Sequence, residues 1–176
     1  MAFINEYSVF IIRQEAYFSH EVRYCFTVNN FPAIDTLEFS KSFDTECTQN
    51  PTIWDVSVKL FKQSNPSQTV ACIFTLKRSD TRPASVRLSC TVDFLTNSNQ
   101  PLCPSKGFPP REIQNGFEMK EIYDPVIPNN DMTLLPGQML TVTVRLSVMS
   151  CHRPRRRVSR TVGFTFDDIE MLTSKL

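Results

Sequence analysis

A two-residue rhythm of apolar and polar side chains, repeated in short runs, constrains this chain more than any other feature. Trp54 to Phe61 reads Trp-Asp-Val-Ser-Val-Lys-Leu-Phe, with Trp54, Val56, Val58 and Leu60 on one face and Asp55, Ser57 and Lys59 on the other. Only extended backbone places residues i and i+2 on one side, so this spacing predicts a half-buried strand. Val86 to Leu95 repeats the pattern with Val86, Leu88, Cys90, Val92 and Phe94. Leu140 to Met149 does so with Leu140, Val142, Val144, Leu146 and Val148. Tyr24 to Val28 alternates as well and then meets Asn29-Asn30, while Val70 to Lys77 is apolar almost throughout and reads as a central strand.

Turn residues separate these runs. Asn65-Pro-Ser67 and Asn97-Ser-Asn-Gln-Pro101 read as turns, and Pro104–Pro110 and Pro125–Asp131 as longer loops. No long 3.6-residue period competes. The expected fold is therefore all-β, an antiparallel sandwich of roughly seven or eight strands. Residues 22–150 carry it. Residues 1–21 form an N-terminal extension, read as either an extra strand or a short helix. Residues 151–163 read as a basic linker. Residues 164–176 read as a short capped tail or the start of a truncated second module, because Phe164-Thr-Phe-Asp-Asp-Ile169 echoes Phe26-Thr-Val-Asn-Asn-Phe31.

Composition narrows the function classes. The 176 residues suit one domain. A net charge of +1 supplies no global field for nucleic acid or membrane. With 14 Phe and only 4 Gly, the chain favours an aromatic core over glycine-rich phosphate loops. No apolar stretch approaches the roughly 20 residues of a membrane-spanning helix. The run Val9–Ile12 is too short, and too poorly flanked by basic residues, for a signal peptide. The expected location is intracellular, in nucleus or cytoplasm, with reduced and mostly buried cysteines. Cys25, Cys47, Cys72, Cys90, Cys103 and Cys151 show no short zinc-type spacing, so neither metal nor other cofactor is expected.

Catalysis finds little support. The two histidines, His20 and His152, lie near the ends of the predicted sandwich. Cys151 and His152 are adjacent, so in a strand their side chains point apart, and no third orienting group is evident. The expectation is a chain without enzymatic activity. The arginines of Arg153-Pro-Arg-Arg-Arg157 read as a solvated linker, a nuclear localisation or nucleic-acid contact, or a kinase recognition site for Ser159. Nucleic acid is not the favoured partner.

Several segments, in order, resemble the MATH (meprin and TRAF homology) domain. Tyr24-Cys-Phe-Thr-Val-Asn-Asn-Phe31 is similar to the family's opening aromatic strand, with Phe26 where a Trp is usual. Trp54 to Phe61 resembles its Trp-led strand, and Thr91-Val-Asp-Phe-Leu95 the strand that follows. Gly116-Phe117 resembles its Gly-Phe pair, and Leu135 to Val144 its last strand. The resemblance runs from Tyr24 to Met149 and is nearest to the speckle-type POZ and TD-and-POZ branch. There the sandwich holds a short peptide of a substrate protein, and a BTB/POZ domain recruits a cullin ubiquitin ligase. No BTB/POZ segment occurs in this sequence. The TRAF-type relatives trimerise through a coiled coil, and no heptads precede this sandwich. The sequence leaves the oligomeric state open.

The resemblance implies a peptide groove at Val70, Cys90, Phe108, Gln114, Asn115, Gly116 and Phe117. The family's Trp-Gly-Phe is here Asn115-Gly116-Phe117, and its preceding Lys-Asp is Ile113-Gln114. Cys90 and Val70 stand where the family has aromatics, while Phe108 keeps one. Aromatic anchors at such interfaces are often worth about 2 kcal/mol or more each. Their loss implies either a more apolar peptide or a groove that binds none, with Phe117, Cys90 and Val70 then ordinary core and sheet residues.

Overall fold

A computed structural model describes residues 7–15, 19–29, 31, 35–63, 69–127 and 139–151. The chain is an all-β antiparallel sandwich. Nine strands are described: β1 (Tyr7–Glu15), β2 (Ser19–Val28), β3 (Thr36–Asp44), β4 (Ile53–Lys62), β5 (Val70–Arg78), β6 (Val86–Leu95), β7 (Lys106–Ile113), β8 (Glu118–Ile127) and β9 (Leu140–Met149). One sheet runs β1-β2-β9-β6-β7 and the other β3-β4-β5-β8.

The alternating runs become strands because each has one face to bury. Trp54, Val56, Val58 and Leu60 all point into the core, as do the predicted faces of β6 and β9. β5 lies between β4 and β8 and is the interior strand its apolar run predicts. Aromatic side chains stitch the two layers together. Phe26 of β2 stacks on Phe39 of β3 at 4.8 Å between ring centroids, and Tyr24 meets Phe43 edge-on at 5.3 Å. Each large apolar side chain removed from water in this way contributes about 1.5–3 kcal/mol.

Four strands carry weaker local signals. β1 settles the ambiguity of the N-terminal segment as a strand. It pairs with β2 from Tyr7↔Val28 to Glu15↔His20, so the sheet begins ahead of the boundary at residue 22. β3 buries only Phe39 and Phe43, four residues apart, and its two-residue period is hidden by exposed polar positions.

The reading of Pro104–Pro110 and Pro125–Asp131 as loops needs correction. β7 contains Pro109 and Pro110, and β8 contains Pro125. Both strands are sheet edges. Pro109 and Pro110 occupy a bulge between the pairs Leu88↔Arg111 and Cys90↔Phe108, and Pro125 lies in the irregularity between Val70↔Ile127 and Cys72↔Tyr123. Proline lacks the N–H that a ladder needs, and edges and bulges are the places where a strand tolerates that loss. The proposed linker and tail fall on residues outside those described, apart from Cys151. Among the described residues no helix is long and apolar enough to cross a membrane.

Candidate functional site

The site is built where β7 hands over to β8. Residues 114–117 cross from the edge of one sheet to the edge of the other. Four residues span at most about 14 Å, little more than the roughly 10 Å between packed sheets. The two edges must therefore flank the same open side of the sandwich.

Arg78, the last residue of β5, clamps both ends of this crossing. Its backbone N–H donates to the Phe117 carbonyl (2.8 Å), and its guanidinium donates to the Ile113 carbonyl (3.2 Å). The same guanidinium donates to the Ala84 carbonyl (2.9 Å) and to both carboxylate oxygens of Asp80 (2.8 and 3.0 Å). Arg78 is fully buried. A buried charge persists only when paired and hydrogen-bonded, and this one is both.

Two of the expected groove residues are cross-strand neighbours, and a third is joined to them through an arginine. Cys90 of β6 is paired opposite Phe108 of β7, so both side chains share the inner face. Phe108 and Phe117 are half-buried and pack against the core. Arg111 joins them: its guanidinium lies 4.0 Å from the Phe108 ring centroid and 5.3 Å from that of Phe117. It also approaches the Met119 sulfur at 3.2 Å. The other expected residues part company. Gln114, Asn115 and Gly116 are exposed in the crossing turn. Val70 is fully buried opposite Ile127, in the core at the start of β5. Cys72, two residues on, stands opposite Tyr123 of β8.

Cys72 and Cys90, on the inner faces, lie within electrostatic reach of Tyr123, and Cys103 within reach of Cys72. Burial pushes the Cys72 thiol up to about 12, with Cys103 adding to the effect. Burial also pushes Cys90 up to about 12; the Glu121 carboxylate reinforces this and Arg111 opposes it. Burial raises Cys103 too, against the opposing influence of Lys106. These thiols stay protonated at neutral pH and act as small apolar groups, without thiolate nucleophilicity. Burial, with Glu121 nearby, holds the Tyr123 phenol above its ordinary range. The Glu121 side chain lies within hydrogen-bonding reach of the buried Tyr123 hydroxyl and adds to that rise.

Sequence reading missed Arg111 as the partner of Phe108 and Phe117. A basic residue in a charged stretch reads as solvated, and its stacking on two rings depends on a strand crossing that no local pattern announces.

Gly107 sets the path of β7 beside β6. It adopts φ +120°, and a Cβ there would overlap the Cys90 carbonyl oxygen. Gly107→Ala is expected to destabilise the fold by about 2 kcal/mol or more, since strain and overlap act together. Gly116 has φ +71° with open space around the Cβ position, so Gly116→Ala is expected to cost only the left-handed penalty of about 1 kcal/mol. Urea unfolding of both variants checks this, and equal midpoints would contradict the close packing of β7 on β6.

Compared with known proteins, the chain matches no protein-family model and no curated protein.

Proposed function

We propose that this chain is a non-catalytic protein-interaction module of the MATH type. It binds a short extended peptide of a substrate protein along the β7–β8 side. By the same resemblance it serves, in nucleus or cytoplasm, as the substrate-recognition part of a cullin-type ubiquitin-ligase adaptor. The observation that supports this reading is the meeting of two sheet edges at the 114–117 crossing, with Phe108 and Phe117 half-buried there beside Arg111. An extended peptide offers backbone groups to an edge and one or two side chains to a pocket. The replacement of polar and aromatic groove residues by Cys90, Asn115 and Gln114 favours a peptide with apolar anchors.

A second reading has its own support. Pro109 and Pro110 remove two N–H donors from β7, and Arg111 covers both rings. A blunted edge of this kind disfavours strand addition at β7, which suits a scaffold whose groove binds no peptide and whose self-association would use another face.

Selection from a displayed peptide library separates the two. Wild-type protein is expected to enrich peptides with an apolar anchor, and Phe117→Ala to weaken them about tenfold or more, as a lost aromatic anchor does. A folded protein that enriches nothing, together with a concentration-dependent dimer in light scattering, would replace the first reading by the second.

A further inference from the structure

We propose that His20, Cys47 and Cys151 form a zinc site at the end of the sandwich where β2 begins and β3 and β9 finish. Their ligand atoms, one imidazole nitrogen and two sulfurs, all lie within 4.8 Å of one another. Around a tetrahedral zinc ion such atoms sit roughly 3.5–3.8 Å apart, given Zn–S near 2.3 Å and Zn–N near 2.0–2.1 Å. Closing on an ion therefore asks for shifts of about 1 Å or less, within the reach of side-chain rotation.

Three features of the fold bring this donor set together. His20 continues the inward face of β2, ahead of Val22 and Tyr24, and its Cα pairs with that of Val148. Cys151 follows Ser150, which has φ 63°. Alternation along β9 would turn residue 150 inward; the left-handed residue shifts the phase by one, so Ser150 is exposed and Cys151 is buried. Cys47 follows Glu46, at φ 52°, whose N–H is held by the Asp44 carboxylate at 2.8 Å. Three non-glycine residues have left-handed backbone among those described, and two of them immediately precede these cysteines. The third, Asn99, sits in an ordinary turn between β6 and β7. Such conformations are uncommon outside glycine and concentrate at functional sites.

The two sulfurs already share one stretch of backbone. The Cys47 thiol donates to the Cys151 carbonyl at 3.4 Å, and the Cys151 thiol approaches the Val148 carbonyl at 3.7 Å. Charge also favours zinc. Two thiolates and a neutral imidazole cancel the charge of Zn²⁺, so the complex is neutral in a buried place, and two thiol protons leave to solvent as the ion binds. A mixed N/S donor set suits a borderline-soft d¹⁰ ion better than calcium or magnesium. Three protein ligands leave the fourth tetrahedral position to water or another group.

The test loads the full chain with zinc or cobalt(II) under a phosphine reductant. The expected result is about one zinc per chain by elemental analysis, with a near-ultraviolet thiolate-to-cobalt band in the cobalt form. Cys47→Ser, Cys151→Ser and His20→Ala are each expected to weaken zinc by at least about tenfold, since even the supporting residues around a metal site are worth 10–100-fold. Cys25→Ser, on the same strand as His20, is expected to change nothing. The proposal is overturned if wild-type protein shows no thiolate band. It is equally overturned if the band persists in folded Cys47→Ser/Cys151→Ser protein, which would put the sulfur ligands elsewhere. Should those variants fail to fold, the wild-type cobalt spectrum still decides.

Discussion

Arg78→Met is expected to remove about 3–5 kcal/mol of stability, the usual result of breaking a buried ion pair from one side. The loss has three parts. Asp80, whose side chain is 5% exposed, keeps a charge without its counter-ion. The Ala84 and Ile113 carbonyls lose their guanidinium donor. The crossing from β7 to β8 loses the side-chain anchor at one end, although the backbone bond to Phe117 remains. Urea unfolding measures the first two. Peptide binding measures the third, because the proposed groove is framed by the segment Arg78 holds. A loss below about 1 kcal/mol would mean that the ion pair is solvated and the clamp idle.

The pH dependence of the same pair carries a defined sign. Burial alone would raise the Asp80 carboxyl, but hydrogen bonds from Arg78 and from the Ile53 and Arg82 N–H groups, with the Arg78 charge, hold it below its ordinary value. A carboxyl depressed in the folded state contributes stability that is fully present above its unfolded value, about 3.9, and is lost as pH falls through the folded value. Wild-type protein should therefore lose stability steeply below about pH 4. Arg78→Met should lose less over that interval, because the largest of the lowering influences is the hydrogen bonding from the arginine.

Trp54→Ala is the second substitution expected to cost about 3–5 kcal/mol, through the lost transfer energy and the cavity it leaves. Trp54 is fully buried in β4, with Phe43 of β3 on one side and Arg78 of β5 on the other in the register. Its indole N–H donates to the Thr52 hydroxyl at 2.8 Å. Trp54→Phe separates packing from hydrogen bonding. It keeps much of the bulk, and Thr52 retains its contact with Thr45, so a cost of about 1–2 kcal/mol is expected. Denaturant midpoints that rank the two variants the other way round would contradict a packing role.

The residues that best predicted structure were those whose meaning is local. β6 and β9 have the bounds their alternation implies, Val86–Leu95 and Leu140–Met149. β7 and β8 were read as partly loop because Pro109, Pro110 and Pro125 are local signals against a strand. Their place at sheet edges and bulges, which makes the prolines harmless, is a non-local fact. Of the expected groove residues, Cys90 and Phe108 are cross-strand neighbours and Phe117 shares Arg111 with Phe108, whereas Val70 stands in the core opposite Ile127, a neighbour that only the sheet register fixes.

By itself the sequence determined the class of fold and the buried face of its clearest strands. A pleated strand turns every second side chain the same way, so burial is written in the period. Tertiary structure alone decided which strands are edges and which distant side chains meet. Arg78 carries no local sign of burial, and its partners at Ile113 and Phe117 are set only by the crossing between the sheets. Cys47 and Cys151, 104 residues apart, approach only because β3 and β9 end at the same end of the sandwich. Sheet pairing joins segments by burial and hydrogen bonding over any separation, and no short window of sequence records which partner wins.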